Sequence, residues 1–330
     1  MKSKKMKAMI STGYGGPDVL KLKTVNKPIP NKDEVLVRIH AVPVTTAETM
    51  MRTGLPLIGR LYLGLTKPKN SISGACFAGV IEEIGNEVTM FKPGDEVFGE
   101  SLEKFGTYAE YLCIQEDAAI VRKPENISFS EASVAGDGHV TSYNFLKNIG
   151  KVKHGDNVLI IGASGSLGTA AVQLAKHFGA YVTGVCGSGN MDLVKSLGAD
   201  QVIDYTKVDF TQNGECYDVI YDTVGKSSFT KCKGSLTTNG IYMSPVLDFS
   251  LLFQMLFTSF KGGKKAMFSA TGMLPTNTII SYLKEIKTLM KMNKLKSIIS
   301  QRYPLEQIPD VHRFIDSGRK KGNIVIEFNS

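Results

Sequence analysis

A chain of 330 residues is long for one domain and comfortable for two, with length enough to bury large cores without disulfides or structural metal. Hydrophobic residues make up 42% and charged residues 21%, the balance of a soluble globular protein. The net charge of +8 is spread over many lysines, denser at Lys261, Lys264, Lys265 and from Lys284 to Lys296. It reads first as a solvated surface. No RNP-like, zinc-finger or basic-helix motif accompanies it, so a nucleic-acid partner is the weaker reading, and local attraction for a polyanionic cofactor is a third. The longest strongly apolar stretch, SLLFQMLFTSF at 250–260, is about half of what crossing a bilayer requires. The opening MKSKKMK is a short basic tail rather than a leader, so we expect a cytoplasmic protein with no membrane partner. Five cysteines stand far apart and form neither a disulfide framework nor a metal knuckle.

In chain order, the first third predicts short strands separated by turns. EVLVRIHAV (34–42), GVIEEIG (79–85), EVFGE (96–100) and TYAEYLCI (107–114) are the strands, and KPGDEV (92–97) and KPENIS (123–128) the turns. From about residue 130 the texture changes to strand–helix alternation. Strands are predicted at NVLIIG (157–162), AYVTGV (180–185), DQVIDY (200–205), YDVIYD (217–222), GIYMSP (240–245) and AMFSA (266–270). Helical patterns between them argue for a parallel sheet of βαβ units. The tail holds an amphipathic helix with Ile280, Leu283, Ile286, Leu289 and Met290 on one face, and closes on the strand NIVIEF (323–328). Leu251, Leu252, Met255, Leu256 and Phe257 are read as ordinary core, with a lid or dimer helix as alternatives.

The strand at 157–162 runs into Gly162-Ala-Ser-Gly165-Ser-Leu-Gly168 and then a helix whose Leu167, Ala171, Leu174, Ala175 and Phe178 share a face. Unpaired N–H groups and a partial positive charge at a helix start suit a phosphate. Gly165 lets a diphosphate approach the backbone, and Gly168 lets helix and strand pack closely. The spacing is GxxGxxG rather than GxGxxG, but strand before and helix after make it a dinucleotide-binding turn involving Ala163, Ser164, Gly165, Leu167 and Gly168. At the end of the second strand, Gly187, Ser188, Gly189 and Asn190 carry no acid, and Asp192 lies in the next helix. An acid there would take ribose hydroxyls and repel a 2′-phosphate. We therefore expect NADPH, with NADH as the alternative, and with Ser188, Asn190 and Tyr205 reaching the phosphate.

The chain also resembles a known family nearly end to end. KAMISTGYGGPDVLKL, PKNSISGACFAGVIEEIGNEVTMFKPGDEVFG, GTYAEY, GASGSLGTAAVQLAK, LVKSLGADQVIDY, YDVIYDTVG and GRKKGNIVI carry the resemblance. They are similar to the medium-chain dehydrogenase/reductase superfamily, specifically its zinc-independent, quinone-oxidoreductase-like branch. The resemblance implies an α/β protein: a GroES-like β domain from 1–124 and 274–330, and a Rossmann doubly wound parallel sheet from 125–273. It implies strand order 3-2-1-4-5-6, a cleft between the domains and a homodimer. Zinc-dependent relatives carry a catalytic Cys where this chain has Thr45, and a His-Glu pair where it has Ala75 and Cys76; their four-cysteine lobe has no counterpart. No metal site is expected, because tetrahedral zinc needs such a Cys/His set.

The chain departs from its own branch at Thr45-Thr46-Ala47-Glu48, where an Asn-Pro-x-Asp motif is usual, and at GDGHVTSY (136–143), where Asp137 and His139 intrude. Thr45, Glu48 and Thr141 are the catalytic candidates. Thr141 is expected to face the nicotinamide, with a capping role as its bland counterpart, and Thr45 to bond a carbonyl oxygen or serve as a strand-end hydroxyl. His139 reads as structural rather than as a proton donor. Val224, Gly225 and Ser244, at strand C-termini, and Asn323 in the tail are expected to touch the cofactor. Arg319, Lys320 and Lys321 read as solvated charge, with approach to the 2′-phosphate as the alternative. The resulting function is zinc-independent hydride transfer from NADPH to a quinone or α,β-unsaturated carbonyl. A carbonyl or enoyl-thioester reductase of the same fold and a non-enzymatic nucleotide- or RNA-binding protein are the alternatives.

Overall fold

The computed structural model describes residues 4–328; Met1–Ser3, the front of the segment read as a basic tail, and the last two residues lie outside it. From Lys5 onward that segment is a strand rather than a tail. Lys5–Ser11 forms β1, antiparallel to β2 (Leu20–Asn26), with Met6, Ala8 and Met9 buried between exposed lysines. Then come β3 (Glu34–Val44), α1 (Thr46–Thr53), the short α2 (Arg60–Leu63), β4 (Cys76–Ile84), β5 (Glu96–Glu100), β6 (Tyr111–Gln115), β7 (Ile120–Arg122), α3 (Phe129–Ser133) and α4 (Val140–Tyr143). The strand–helix alternation comprises β8 (Asn157–Ile161), α5 (Ser166–His177), β9 (Tyr181–Cys186), α6 (Met191–Ser196), β10 (Gln201–Asp204), β11 (Tyr217–Asp222), α7 (Phe229–Cys232), β12 (Leu236–Ser244), α8 (Phe249–Ser259) and β13 (Lys265–Phe268). The tail is α9 (Thr276–Lys291), β14 (Ile299–Pro304), α10 (Ile308–Asp316) and β15 (Asn323–Glu327).

The chain divides into two units. The first runs to Asp137 and takes Pro275–Lys291 and Ser297 onward; the second is Gly138–Leu274 with Met292–Lys296. The first unit's sheet has seven strands in the order β14-β15-β3-β4-β5-β7, with β6 also on β3. Its 11-residue β3 is buried almost throughout because β4, β6 and β15 all pair with it. Val35, Val37, Ile39, Val42 and Val44 meet Phe77, Ile81, Tyr108, Ile324 and Ile326 in the core. This unit extends past the boundary expected at residue 124, because Ser128 caps α3 through a reciprocal pair with Glu131 and α3 packs on β3 and β4. In α9 the buried stripe starts at Ile279, not at the expected Ile280.

The second unit holds a six-stranded sheet, all parallel, in the order β10-β9-β8-β11-β12-β13. Numbered from β8 this is 3-2-1-4-5-6, the doubly wound Rossmann arrangement. β8, β9 and β11 are each buried at all but one position rather than at alternate ones, as strands of a sheet enclosed on both faces are. Helix α5 is buried on more than its predicted face: Gln173 is also enclosed, its amide donating to Thr169 O at 2.9 Å and Lys296 O at 3.0 Å.

Candidate nucleotide-binding site

β8 delivers the chain to α5 through a turn that has no room to spare at one end and open space at the other. A Cβ on Gly168 would stand 2.1 Å from Gly162 O and 2.7 Å from Ala163 Cα, so only glycine lets α5 start this close to the strand. A Cβ on Gly165 would meet only Gly162 O, at 3.4 Å. Gly165 is the N-cap of α5, and no side chain caps the helix. Gly165, Ser166 and Leu167 are partly exposed, whereas Ala163, Ser164 and Gly168 are buried. The first turn of a 12-residue helix thus opens to solvent behind bare backbone, which fits the diphosphate of a dinucleotide.

The predicted tip residues come together by pairs. Asn190 Nδ2 donates to Ser164 Oγ at 3.2 Å, tying the end of β9 to the glycine turn. The Tyr205 ring lies beside Gly187 and is exposed. Ser188 Oγ donates a short hydrogen bond to Asp204, which also accepts from Thr206 N at 3.0 Å and Thr206 Oγ1 at 2.7 Å. The hydroxyls of Ser188 and Thr206 hold the Asp204 carboxyl down to about 2, so it is ionised. Lys207 Nζ stands 3.8 Å away. Asp204 is the site residue that sequence reasoning missed. An acid is expected at the end of the second strand only, but parallel pairing sets Asp204 of β10 beside Cys186 of β9, two residues before Ser188.

At the end of β11 the carboxylate of Asp222 gathers the adjoining loop. It accepts from Val224 N at 3.2 Å, Gly225 N at 2.9 Å, Ser227 N at 2.7 Å and Tyr242 Oη at 3.0 Å. Val224 is thereby held exposed next to Gly162. Ser244 is 1% exposed and its Oγ accepts from Val246 N, so it supports this edge from beneath. The GDGHVTSY segment abuts the turn from the other side. A Cβ on Gly138 would meet Ser166 Oγ at 2.9 Å, and Ser142 Oγ donates to Leu167 O at 2.8 Å. Thr141, beside Ser142, is partly exposed. His139 is buried, and desolvation pushes its imidazole down to about 4, which keeps it neutral and unsuited to giving up a proton.

Thr45, Glu48 and Asn323 belong to the first unit. Thr45 caps α1: Glu48 N donates to its Oγ1 at 3.3 Å, and Thr45 N to Glu48 Oε2 at 2.9 Å. This reciprocal capping box occupies both candidates. Glu48 is 2% exposed and also accepts from Tyr108 Oη at 2.7 Å and Ala75 N at 3.2 Å. Burial lifts its carboxyl to about 7, against the pull of those donors. Asn323 is buried and its Nδ2 donates to Ile298 O at 3.1 Å. Lys320 is not solvated as expected: it is partly buried and donates to Val44 O at 3.0 Å, whereas Arg319 and Lys321 are exposed. Among the described residues no three His, Cys, Asp or Glu side chains converge as metal ligands.

Comparison with known proteins supports this reading of the fold. Residues 31–125 match the family model of the alcohol dehydrogenase GroES-like domain, and 197–326 that of the zinc-binding dehydrogenase domain. A 2-methylene-furan-3-one reductase of Solanum lycopersicum is 31% identical over 97% of this chain and 79% of its own. The chain belongs to the medium-chain dehydrogenase/reductase superfamily, in its quinone-oxidoreductase-like branch. Within it, the quinone oxidoreductase of Homo sapiens is 29% identical over 96% of this chain and 95% of its own. The solved quinone oxidoreductase of Coxiella burnetii superposes with a TM-score of 0.88 at 28% identity, over 99% of this chain and 100% of that one. This medium-chain dehydrogenase/reductase accordingly stands among oxidoreductases.

Proposed function

We propose that the chain is an NADPH-dependent reductase that passes hydride to a quinone or α,β-unsaturated carbonyl without catalytic zinc. The observation that carries this reading is the uncapped, open first turn of α5 behind Gly165, where the backbone from Ala163 to Gly168 would hold the diphosphate. The acceptor class is supported by the relatives, named for a methylene-furanone, which is an enone, and for quinones. When bound, the nicotinamide supplies the hydride.

The end of β9 permits NADPH. No acid on β9 waits for ribose hydroxyls, and the acid that does reach the tip, Asp204, is occupied by Ser188 and Thr206 and offset by Lys207. Asn190 and Tyr205 complete that end of the site. Val224 and Gly225 present the exposed strand end, with Ser244 beneath as a support, and Asn323 is kept as a cofactor-binding candidate of the first unit. Thr141 is the residue assigned to the nicotinamide side. Thr45 and Glu48 act as positioning residues, because their polar atoms are committed to the first turn of α1. With Thr45, Ala75 and Cys76 in the segments where zinc-dependent relatives carry ligands, the reaction is expected to rely on acceptors whose reduced product spreads its own charge. Excluding water and holding reactants in place supply the rate.

The test is a calorimetric titration with NADPH and NADH, then absorbance assays of NADPH oxidation with a quinone, an enone and an enoyl thioester, each with and without EDTA. Tighter NADPH binding and chelator-insensitive turnover of quinone or enone are expected. Chelator-sensitive alcohol oxidation, or faster turnover of the thioester, overturns the acceptor assignment. Absence of nucleotide binding overturns the whole reading.

A further inference from the structure

Hydride addition to a quinone or an enone leaves an anion that needs a proton, and none of the residues assigned above gives one up. His139 is neutral, and Glu48 has both carboxyl oxygens engaged by Thr45 N, Ala75 N and Tyr108 Oη. Two acids of the first unit are unused. One is Glu100, at the end of β5; the other is Asp137, in the wide turn Ala135–His139 that follows α3. Strands β4 and β5 pair so that Cys76 lies opposite Glu100, and the turn presses onto both. A Cβ on Gly136 would stand 2.8 Å from Cys76 Sγ and 2.9 Å from Glu100 Cγ, so glycine is what lets the turn come this close. Asp137 N donates to the Cys76 thiol.

Glu100 is 5% exposed, and its Oε1 has no hydrogen-bond partner. A buried carboxylate without partners is costly, so this group keeps its proton. Burial pushes it well above the usual carboxylate range, and the charge of Asp137 pushes the same way. Asp137 is partly exposed; burial lifts its carboxyl too, against the pull of Lys320. The groups facing Asp137 are thus Cys76 of β4, Glu100 of β5, Glu48 of α1 and Lys320 before β15. From Asp137 the chain passes directly to Gly138, which packs on Ser166 in the first turn of α5. We propose that Asp137 is the proton donor of the reduction, and that Glu100 behind it shares its proton. The inference rests on the reductase reading given above. Once hydride has added, the Asp137 O–H bond breaks and its proton forms a C–H bond at the α-carbon of an enolate, or an O–H bond on a hydroquinone anion. Asp137 is left as a carboxylate held by the proton of Glu100, and takes a new proton from water before the next turnover. One NADPH is oxidised to NADP+, and the acceptor gains one hydride and one solvent proton.

The test follows NADPH oxidation by the full-length protein with an α-methyl enone and with a quinone, in water and in heavy water. The parent is expected to turn over both and to place deuterium on one face of the enone's α-carbon, giving one enantiomer. Asp137→Asn should melt and bind NADPH as the parent does, lose about hundredfold in kcat with the enone, and give both enantiomers. The quinone rate should fall far less, because an anionic oxygen takes a proton from water readily and a carbon does not. Glu100→Gln keeps the shape and weakens the sharing, so it should lower the enone rate by less than Asp137→Asn does. A parent active with neither acceptor overturns the reductase reading and this assignment with it. With an active parent, an Asp137→Asn protein that reduces the enone at the parent's rate, with one enantiomer, overturns the assignment alone. So does an equal loss with both acceptors, since a structural fault does not tell them apart, or weakened NADPH binding, which would place Asp137 with the nucleotide. Should Asp137→Asn melt early, Glu100→Gln decides: an enone rate equal to the parent's refutes the proposal.

Discussion

Two glycines three residues apart should fail in opposite ways. Gly168→Ala places a methyl 2.1 Å from Gly162 O and 2.7 Å from Ala163 Cα, and both neighbours are backbone of the turn itself. The helix must move off the strand to admit it, and overpacking of this sort costs about 1–3 kcal/mol. For a unit of this size that corresponds to a fall of roughly 2–12 °C in melting temperature. Gly165→Ala meets one atom at 3.4 Å, and its φ of −82° with ψ of −176° is extended backbone that alanine adopts. Its stability should stay within about 0.5 kcal/mol of the parent. Yet the methyl would stand over the turn where the diphosphate is to rest, so nucleotide affinity should fall about tenfold, a loss of about 1.4 kcal/mol. Thermal melts and calorimetric titration of both variants decide the matter. A Gly165→Ala protein that binds NADPH as the parent does, or a Gly168→Ala protein that melts with it, refutes the assignment of one glycine to the ligand and the other to packing.

Asp204→Asn removes an ionised carboxylate from the tip, so the ratio of NADPH to NADH affinity should rise several-fold in a paired titration; an unchanged ratio would remove Asp204 from the cofactor's surroundings. Ser188→Asp adds charge at the same place and should move that ratio the other way. Burial raises the Glu48 carboxyl from its ordinary 4.5 to about 7, so the folded state holds this proton more tightly than the unfolded state. Its contribution is present in full below pH 4.5 and lost as pH rises through about 7, roughly 3 kcal/mol across that window. Glu48→Gln should flatten that part of the stability profile in denaturant titrations run at several pH values. Tyr108→Phe deletes a hydrogen bond to Glu48 that favours its charged form, so in the same titrations the Glu48 carboxyl should ionise at still higher pH.

Much of the fold and part of the site were legible in residues close together in the chain. An apolar strand, a glycine turn and a helical repeat at 157–178 are local facts, and Gly168 sits as close to the strand as its position implied, while Gly165 has open space beside it. The texture change near residue 130 marked two architectures, although the capping box at Ser128 and Glu131 carried the first unit onward to Asp137. The family resemblance extended over nearly the whole chain and supplied strand order 3-2-1-4-5-6, which pairing in the second unit shows.

What stayed hidden depends on which strand lies beside which, and on which side of a helix is covered. Asp204 was visible as a residue but not as a neighbour of Ser188, because only the parallel register of β10 on β9 aligns their ends. Glu48 and Lys320 look in sequence like available polar groups, but capping and burial against α1 and Val44 use them up. In α8 the sequence shows a mostly apolar run, read as ordinary core; the fold buries Leu251 and leaves Phe249, Leu252, Phe253, Leu256 and Phe257 exposed. Propensity and spacing are properties of a segment and can be read along the chain. Burial and charge compensation belong to the space between segments, and only packing in three dimensions decides them.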